Sequence, residues 1–441
     1  MSLDRTNIGK KININFIESD KFKTNFIEID IITKLESELK ASKNALLAKV
    51  LKRGSKNFPT MADINKRQND LYSAKIGAGA DKIGEAQILI LTAEMLENKY
   101  SLDNTDIANE TINLLGDIFI NPLIENNGFK NDYIEGEKTN LINDILAQIN
   151  NKNAYVYKKC IENMCKNERF AINNLGSVES VKLIDGKNLY VHYNYILSHC
   201  AIEIFCVGKF SEKKKEIIEK FKDLLKNIKR ENIETENYET DVILKSDYKG
   251  EIIEEMEVNQ GKLAIGFRMG TSNKNKGFAN FILFDAVYAL TPTGKLFMNV
   301  REKLSLCYYC RTIVESAKGI ITVLCGIENE NKQKTIDEIL RLLEEMKNGE
   351  FTEKDIEAAK LSLINSYKEV FDNAGNIVYW YLRRLLSGNI KSPDDMIEEI
   401  NKVKKEDIIQ SAKNITLDTI YFLQGTITNN NADNPENTEE E

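Results

Sequence analysis

The chain states one phrase twice. Ile134-Glu135-x-x-Lys138-x-x-Leu141-Ile142-Asn143 recurs 222 residues later as Ile356-Glu357-x-x-Lys360-x-x-Leu363-Ile364-Asn365. The echo continues in matching order, with Lys152-Asn153-Ala154 against Asp372-Asn373-Ala374 and Ser177 before Ile184 against Ser392 before Ile397. It closes on two apolar strands ending in glycine, Ile202 to Gly208 and Ile420 to Gly425. Solenoid repeats run at about 20–50 residues, so this spacing excludes them. It predicts one domain of roughly 210 residues that was duplicated and then diverged. A duplicated domain can enclose a ligand between its halves, which a single domain cannot.

Local patterning gives each half both strands and helices. Thr24 to Ile31 alternates, with Ile27, Ile29 and Ile31 on one face and Glu28 and Asp30 on the other, as a half-buried strand does. Lys43 to Arg53 reads as a helix whose apolar side is Ala45, Leu46, Leu47, Val50 and Leu51. Ser73–Ala80 and Ala86–Thr92 read as strands, and Asp132 to Ile149 and Ala154 to Cys165 as helices. Lys262 to Met269 reopens the second half as an alternating strand, and Thr335 to Asn348 is a helix stopped by Gly349. Strands and long helices without a βαβ rhythm predict an α+β class, two homologous domains, each an antiparallel sheet packed with helices. The expected divisions are an N-terminal domain over residues 1–228, a polar linker over 229–248, a C-terminal domain over 249–425 and a disordered acidic tail over 426–441.

Composition narrows the function classes. The net charge of −8 is dispersed, and no basic stripe with interleaved aromatics suggests nucleic acid. Met1 to Lys11 lacks the apolar core of a signal peptide and no apolar run approaches a membrane span, so cytoplasmic residence is expected. The seven cysteines are scattered, which argues against a secreted disulfide framework. Cys307-x-x-Cys310 alone has metal or redox spacing; without a second pair to complete four ligands, it reads as structural thiols.

Several phrases together carry a resemblance. Pro292 to Tyr308 (PTGKLFMNVREKLSLCY), Leu51 to Pro59 (LKRGSKNFP), Asn121-Pro122 and Leu175-Gly176 before a Tyr-rich segment resemble the family of pitrilysin, insulin-degrading enzyme and the mitochondrial processing peptidases. The likeness spans about residues 10 to 425 and implies half of a peptidase clamshell. Active members carry an inverted H-x-x-E-H motif, in which two histidines one turn apart bind Zn²⁺, a distant Glu is the third ligand and the motif Glu activates water. Aligned on Gly54-Ser55, the motif falls on Ala45-Leu46-Leu47-Ala48-Lys49, so Ala45 and Lys49 replace the histidines and Ala48 the base. Downstream Glu137 is kept, but the ligand Glu becomes Asp144. The two histidines of the chain, His192 and His199, sit together near Tyr190 with no carboxylate phrase beside them and read as structural or surface residues. No metal, no catalytic residue and no cofactor are therefore expected in this chain alone, and zinc is expected only in a partner subunit.

A second element of the family is retained. The resemblance implies that Arg301 and Tyr308, seven residues apart, hold a substrate carbonyl and its developing oxyanion. The residues alone also allow a solvated helix end at Arg301 and a core aromatic at Tyr308. Likewise the strand carrying Ala74, Ile76, Ala78 and Ala80 matches one whose edge pairs with peptide in relatives, while its small side chains equally suit close helix–sheet packing. The short loop at Gly294 and Lys295 lacks the glycine-rich gate of some relatives.

The resemblance is nearest to bacterial insulinase-like proteins named for association with elongation factor P modification. It implies a non-catalytic subunit of a heterodimeric zinc peptidase, partnered by a paralogue with an intact H-x-x-E-H and acting on a peptide or unfolded segment. The alternatives are a structural or assembly subunit, or a peptide-binding scaffold with no part in catalysis.

Overall fold

The alternation of Ile27, Ile29 and Ile31 with Glu28 and Asp30 lies at the centre of a six-stranded sheet. In the computed structural model, which describes residues 2–230, 239–291 and 293–426, the strands of this sheet are β1 (Asp4–Gly9), β2 (Ile12–Glu18), β3 (Thr24–Lys34), β4 (Lys75–Ile83) and β5 (Ala86–Leu96). A two-residue hairpin of β6 (Ile124–Glu125) and β7 (Gly128–Phe129) stands apart, and β8 (Ala201–Gly208) completes the sheet. The order is β1-β2-β8-β3-β5-β4, with β2 and β8 parallel and the other neighbours antiparallel.

Both faces of this sheet are covered. Ile27, Ile29 and Ile31 share a core with the helix Glu38–Leu51, whose Ala45, Leu46, Leu47, Ala48, Val50 and Leu51 are all buried. Ser42 and Asn44 of that helix are buried with its apolar residues, which suits a position under other helices. Ser37 caps it by accepting a hydrogen bond from the Lys40 amide. On the opposite face Ile32, Ile88 and Phe205 pack with Ile377, Val378 and Tyr381 of the helix Ala374–Ser387.

The second sheet is built from β9 (Glu251–Met256), β10 (Gly261–Arg268), β11 (Cys307–Glu315), β12 (Ile320–Ile327) and β13 (Thr416–Gly425), in the order β11-β12-β10-β13-β9. Its one parallel pair is β13 with β9. Set against β4-β5-β3-β8-β2, this is the same order and the same strand senses, so the sequence repeat is a repeat of topology. The repeat also matches caps: Ser177 accepts from the Ser180 amide and Ser392 from the Asp395 amide, each opening a helix. Gly349, at φ +77°, closes the helix Lys332–Asn348 as the sequence predicts.

The two compact units do not follow sequence order. One comprises Met1–Gln148, Asn167–Asp241 and Ser366–Ile397; the other comprises Ile149–Lys166, Val242–Asn365 and Glu398–Glu441. The helix Lys152–Met164 thus packs on the second sheet, through Val156 and Cys160 against Ala264, Leu324 and Tyr421. Arg268 on β10 ties it down, donating to the Met164 carbonyl at 3.0 Å and to Asp418 Oδ2 on β13 at 2.9 Å. The first unit takes Ala374–Ser387 in the same way.

Residues 231–238 of the expected linker, Pro292, and the expected acidic tail beyond Thr426 lie outside the described residues. Among the described residues no helix is long and apolar enough to cross a membrane.

Candidate functional site

The residues that the family resemblance aligns with a zinc ligand set carry other chemistry. Ala45 and Ala48 are buried on the Glu38–Leu51 helix and offer only methyl groups. Lys49 Nζ lies 2.7 Å from Asp144 Oδ2, so the residue in the second histidine's place is ion-paired with the residue in the distal ligand's place. Glu137 is buried; its Oε1 is 3.4 Å from Arg53 Nη1 and its Oε2 accepts from Asn140 at 3.0 Å. A divalent cation here would meet an ammonium instead of an imidazole, and both nearby carboxylates already have partners. The donor set does not fit zinc.

The loop expected from Leu175-Gly176 props up this helix. Gly176 has φ +74°, and a Cβ on it would come within 1.9 Å of Ser42 Oγ and 2.6 Å of the Glu38 carbonyl, so only glycine permits the approach. His192 is a structural residue of the same region, in the helix Gly186–His199 and not at the start of a strand. Its Nε2 is 2.7 Å from Asn44 Oδ1, and burial pushes its pKa down to about 3.

β4 is an edge strand. Ile76, Ala78 and Ala80 pack partly buried on the core that holds Ala45 and Ala48. Ala74 stands one residue before the strand, buried in the turn after the helix Met61–Asp70. The outward backbone is guarded at two points. The Ile76 amide donates to Gln68 Oε1 at 2.8 Å, and the Ala80 carbonyl accepts from Asn174 Nδ2 at 3.3 Å. Ala78, of the same parity, presents its N–H and C=O with no partner across the edge among the described residues. Gln68 and Asn174 carry no motif that would mark them in the sequence.

Arg301 lies in a π-helical turn, Phe297–Lys303, half exposed, with its guanidinium 4.8 Å from the Phe297 ring centre and its Nε 3.5 Å from Glu302 Oε1. Tyr308 is 65% exposed, so it is not a core aromatic; its hydroxyl donates to Glu328 Oε1 at 3.2 Å. The reason is a β-bulge. Cys307 pairs with Ile327 and Tyr309 with Gly326, leaving Tyr308 as the extra residue that projects outward. Lys295, in the preceding loop, pairs with Glu345.

The same bulge changes the cysteine picture. Residues three apart on a regular strand face opposite sides, but the extra residue turns Cys307 onto the face of Cys310. Cys310 is paired in register with Cys325, so three buried thiols converge, their sulfurs all within 4.8 Å of one another. Hydrogen bonds from Cys310 and Cys325, with the Arg301 charge adding, hold the Cys307 thiol down at about 4. The same sharing pushes Cys310 and Cys325 well above the ordinary thiol range. Sequence spacing alone could not find Cys325, because its place depends on strand register.

Comparisons with known proteins fit this geometry. Residues 184–363 match the family model described as peptidase M16 inactive domain. The Bacillus subtilis (strain 168) protein named probable inactive metalloprotease YmfF is 31% identical over 417 residues, covering 94% of this chain and 96% of that protein. Among solved structures, a conserved protein from Enterococcus faecalis V583 superposes with a TM-score of 0.86 at 25% identity, covering 97% of this chain and 99% of that one. A protease from Helicobacter pylori gives a TM-score of 0.75 at 14% identity, covering 96% and 99%, a likeness of fold. With an ion pair where the ligands would be and a relative of this identity over nearly its whole length, the chain belongs to the M16, or insulinase, peptidase family as an inactive member.

Proposed function

We propose that this chain is the non-catalytic subunit of a heterodimeric zinc metallopeptidase, acting in the cytoplasm beside a paralogue that carries an intact H-x-x-E-H. The observation that carries the reading is the replacement of the metal site by the Lys49–Asp144 pair while Arg301 and Tyr308 remain exposed. The bulge at Tyr308 supports the reading, because it holds the phenol out in solvent where a substrate could meet it.

In the assembled enzyme the partner supplies zinc and water activation. This chain supplies a fixed guanidinium and a neutral phenol for the substrate carbonyl as negative charge develops on it. Such donors matter most in a water-excluded chamber, each contributing about 2–4 kcal/mol to the barrier. The exposed backbone of Ala78 offers extended peptide a place to add a strand, which favours peptides and unfolded segments over folded substrates.

The test is reconstitution. The chain is purified alone and with an H-x-x-E-H paralogue from the same organism, and cleavage of a quenched fluorescent peptide library is followed. Cleavage is expected only from the mixture, and Arg301→Ala or Tyr308→Phe is expected to lower kcat about 10²–10³-fold with the heterodimer intact. Full turnover by a mixture containing both substitutions would reduce this chain to a scaffold.

A further inference from the structure

We propose that Cys307, Cys310 and Cys325 form a three-thiolate site for a soft, thiophilic cation, Cu⁺ by coordination number. The site is independent of the peptidase reading: it is built from β11 and β12 and from the bulge at Tyr308.

Geometry carries the assignment. A cation bound to three sulfurs at about 2.3 Å each holds them about 4 Å apart at the corners of a triangle. The three sulfurs here already lie within 4.8 Å of one another, with Cys310 and Cys325 at 3.1 Å, so small side-chain adjustments suffice. The cluster is assembled and not incidental to a regular strand, because Cys307 reaches it only through the extra residue.

Ligand chemistry selects the ion. Among the described residues no histidine or carboxylate completes the group, and three-sulfur coordination leaves the tetrahedral demand of structural zinc unmet. Cu⁺ accepts soft thiolates in low coordination number. All three residues are buried, which limits the access of water as a fourth ligand. Binding releases the thiol protons and clamps the bulge from which Tyr308 projects.

The experiment uses the full chain, reduced and kept anaerobic, titrated with Cu⁺ delivered from a chromophoric Cu⁺ chelator. One Cu⁺ per chain is expected to leave the chelator, with a sulfur-to-copper charge-transfer band. Cys307→Ser and Cys325→Ser are each expected to weaken binding by more than about a hundredfold, beyond what outer partners of a metal site contribute. Cys206→Ser, a buried thiol on β8, is expected to bind as the parent does. If Cys325→Ser fails to fold, Cys307→Ser at the rim of the cluster decides, with melting midpoints as the control. The proposal falls if the parent takes no Cu⁺ from the chelator, or if Cys206→Ser loses as much as the cluster variants. It falls equally if Zn²⁺ displaces Cu⁺ at equal concentration, or if Cys310 and Cys325 persist as a disulfide under reductant.

Discussion

Lys49 Nζ and Asp144 Oδ2 are 2.7 Å apart, an ion pair between the two residues that the family resemblance sets in zinc-ligand positions. The pair is partly exposed, so its strength is modest and its importance lies in what it excludes.

Replacing the pair's members should therefore change metal binding more than stability. Lys49→Ala is expected to lower the unfolding free energy from urea titration by less than about 1 kcal/mol. The fourfold variant Ala45→His, Ala48→Glu, Lys49→His, Asp144→Glu is expected to bind one Zn²⁺ per chain by elemental analysis of dialysed protein, where the parent binds none. Crowding at buried Ala45 and Ala48 is expected to cost about 1–3 kcal/mol before metal is added.

Peptide pairing on β4 is tested by removing a single N–H. Ala78→Pro takes away the outward donor, which no ladder bond uses, so the sheet should persist with nearly the parent melting midpoint. Fluorescence anisotropy with a labelled extended peptide should show affinity for the heterodimer falling by at least about tenfold, or 1.4 kcal/mol. Unchanged affinity would assign the small residues of β4 to helix–sheet packing alone.

Acid carboxyls on the other face of the first sheet set a pH dependence. Burial pushes Glu28 up to about 7, with a hydrogen bond from Asp30 opposing and the Asp81 charge adding. Asp30, fully buried beside Glu28 and Glu203, is raised well above its ordinary value by the same burial. Here the folded protein binds protons more tightly than the unfolded chain, so this contribution is fully present below the unfolded value of 4.5 and is lost as pH rises to about 7. His192 works the other way, its contribution fading as pH falls below 6.5 toward about 3. The urea midpoint of Glu28→Gln relative to the parent should thus rise from pH 5 to pH 7.5; a constant difference would show that Glu28 is ionised throughout.

Arg268 and Asp418 are both fully buried and 2.9 Å apart. Asp418→Ala removes a buried carboxylate from the buried guanidinium, and unfolding free energy should drop by about 3–5 kcal/mol in urea titration. A loss under about 1 kcal/mol would mean that water reaches the guanidinium and stands in for the carboxylate.

Much of the fold was legible because the repeat fixes it. Ile134 and Leu141, and their echoes Ile356 and Leu363, are all buried, and the glycine-ended strands β8 and β13 are both interior strands and each is one member of its sheet's parallel pair. Less could be read where partner choice matters. Val156 and Cys160 give their helix an apolar face but say nothing of which sheet receives it, since periodicity specifies a face and not a neighbour. Lys49 and Asp144 could each be marked as departures from a ligand pattern, yet their pairing needs coordinates. Tyr308 looked equally suited to a core because aromatic character carries no sign of a bulge.

The crossed helices have a consequence for synthesis. A ribosome finishes every strand of the first sheet by Gly208, yet the helix that covers one face emerges only once Ser387 has been made. Until then that face, with Ile32, Ile88 and Phe205, is bare to solvent, so translation must nearly end before the early unit can close. Nascent chains of this protein should accordingly lean on holdases, and the two fragments from a break near residue 240 should emerge as aggregates instead of two soluble pieces.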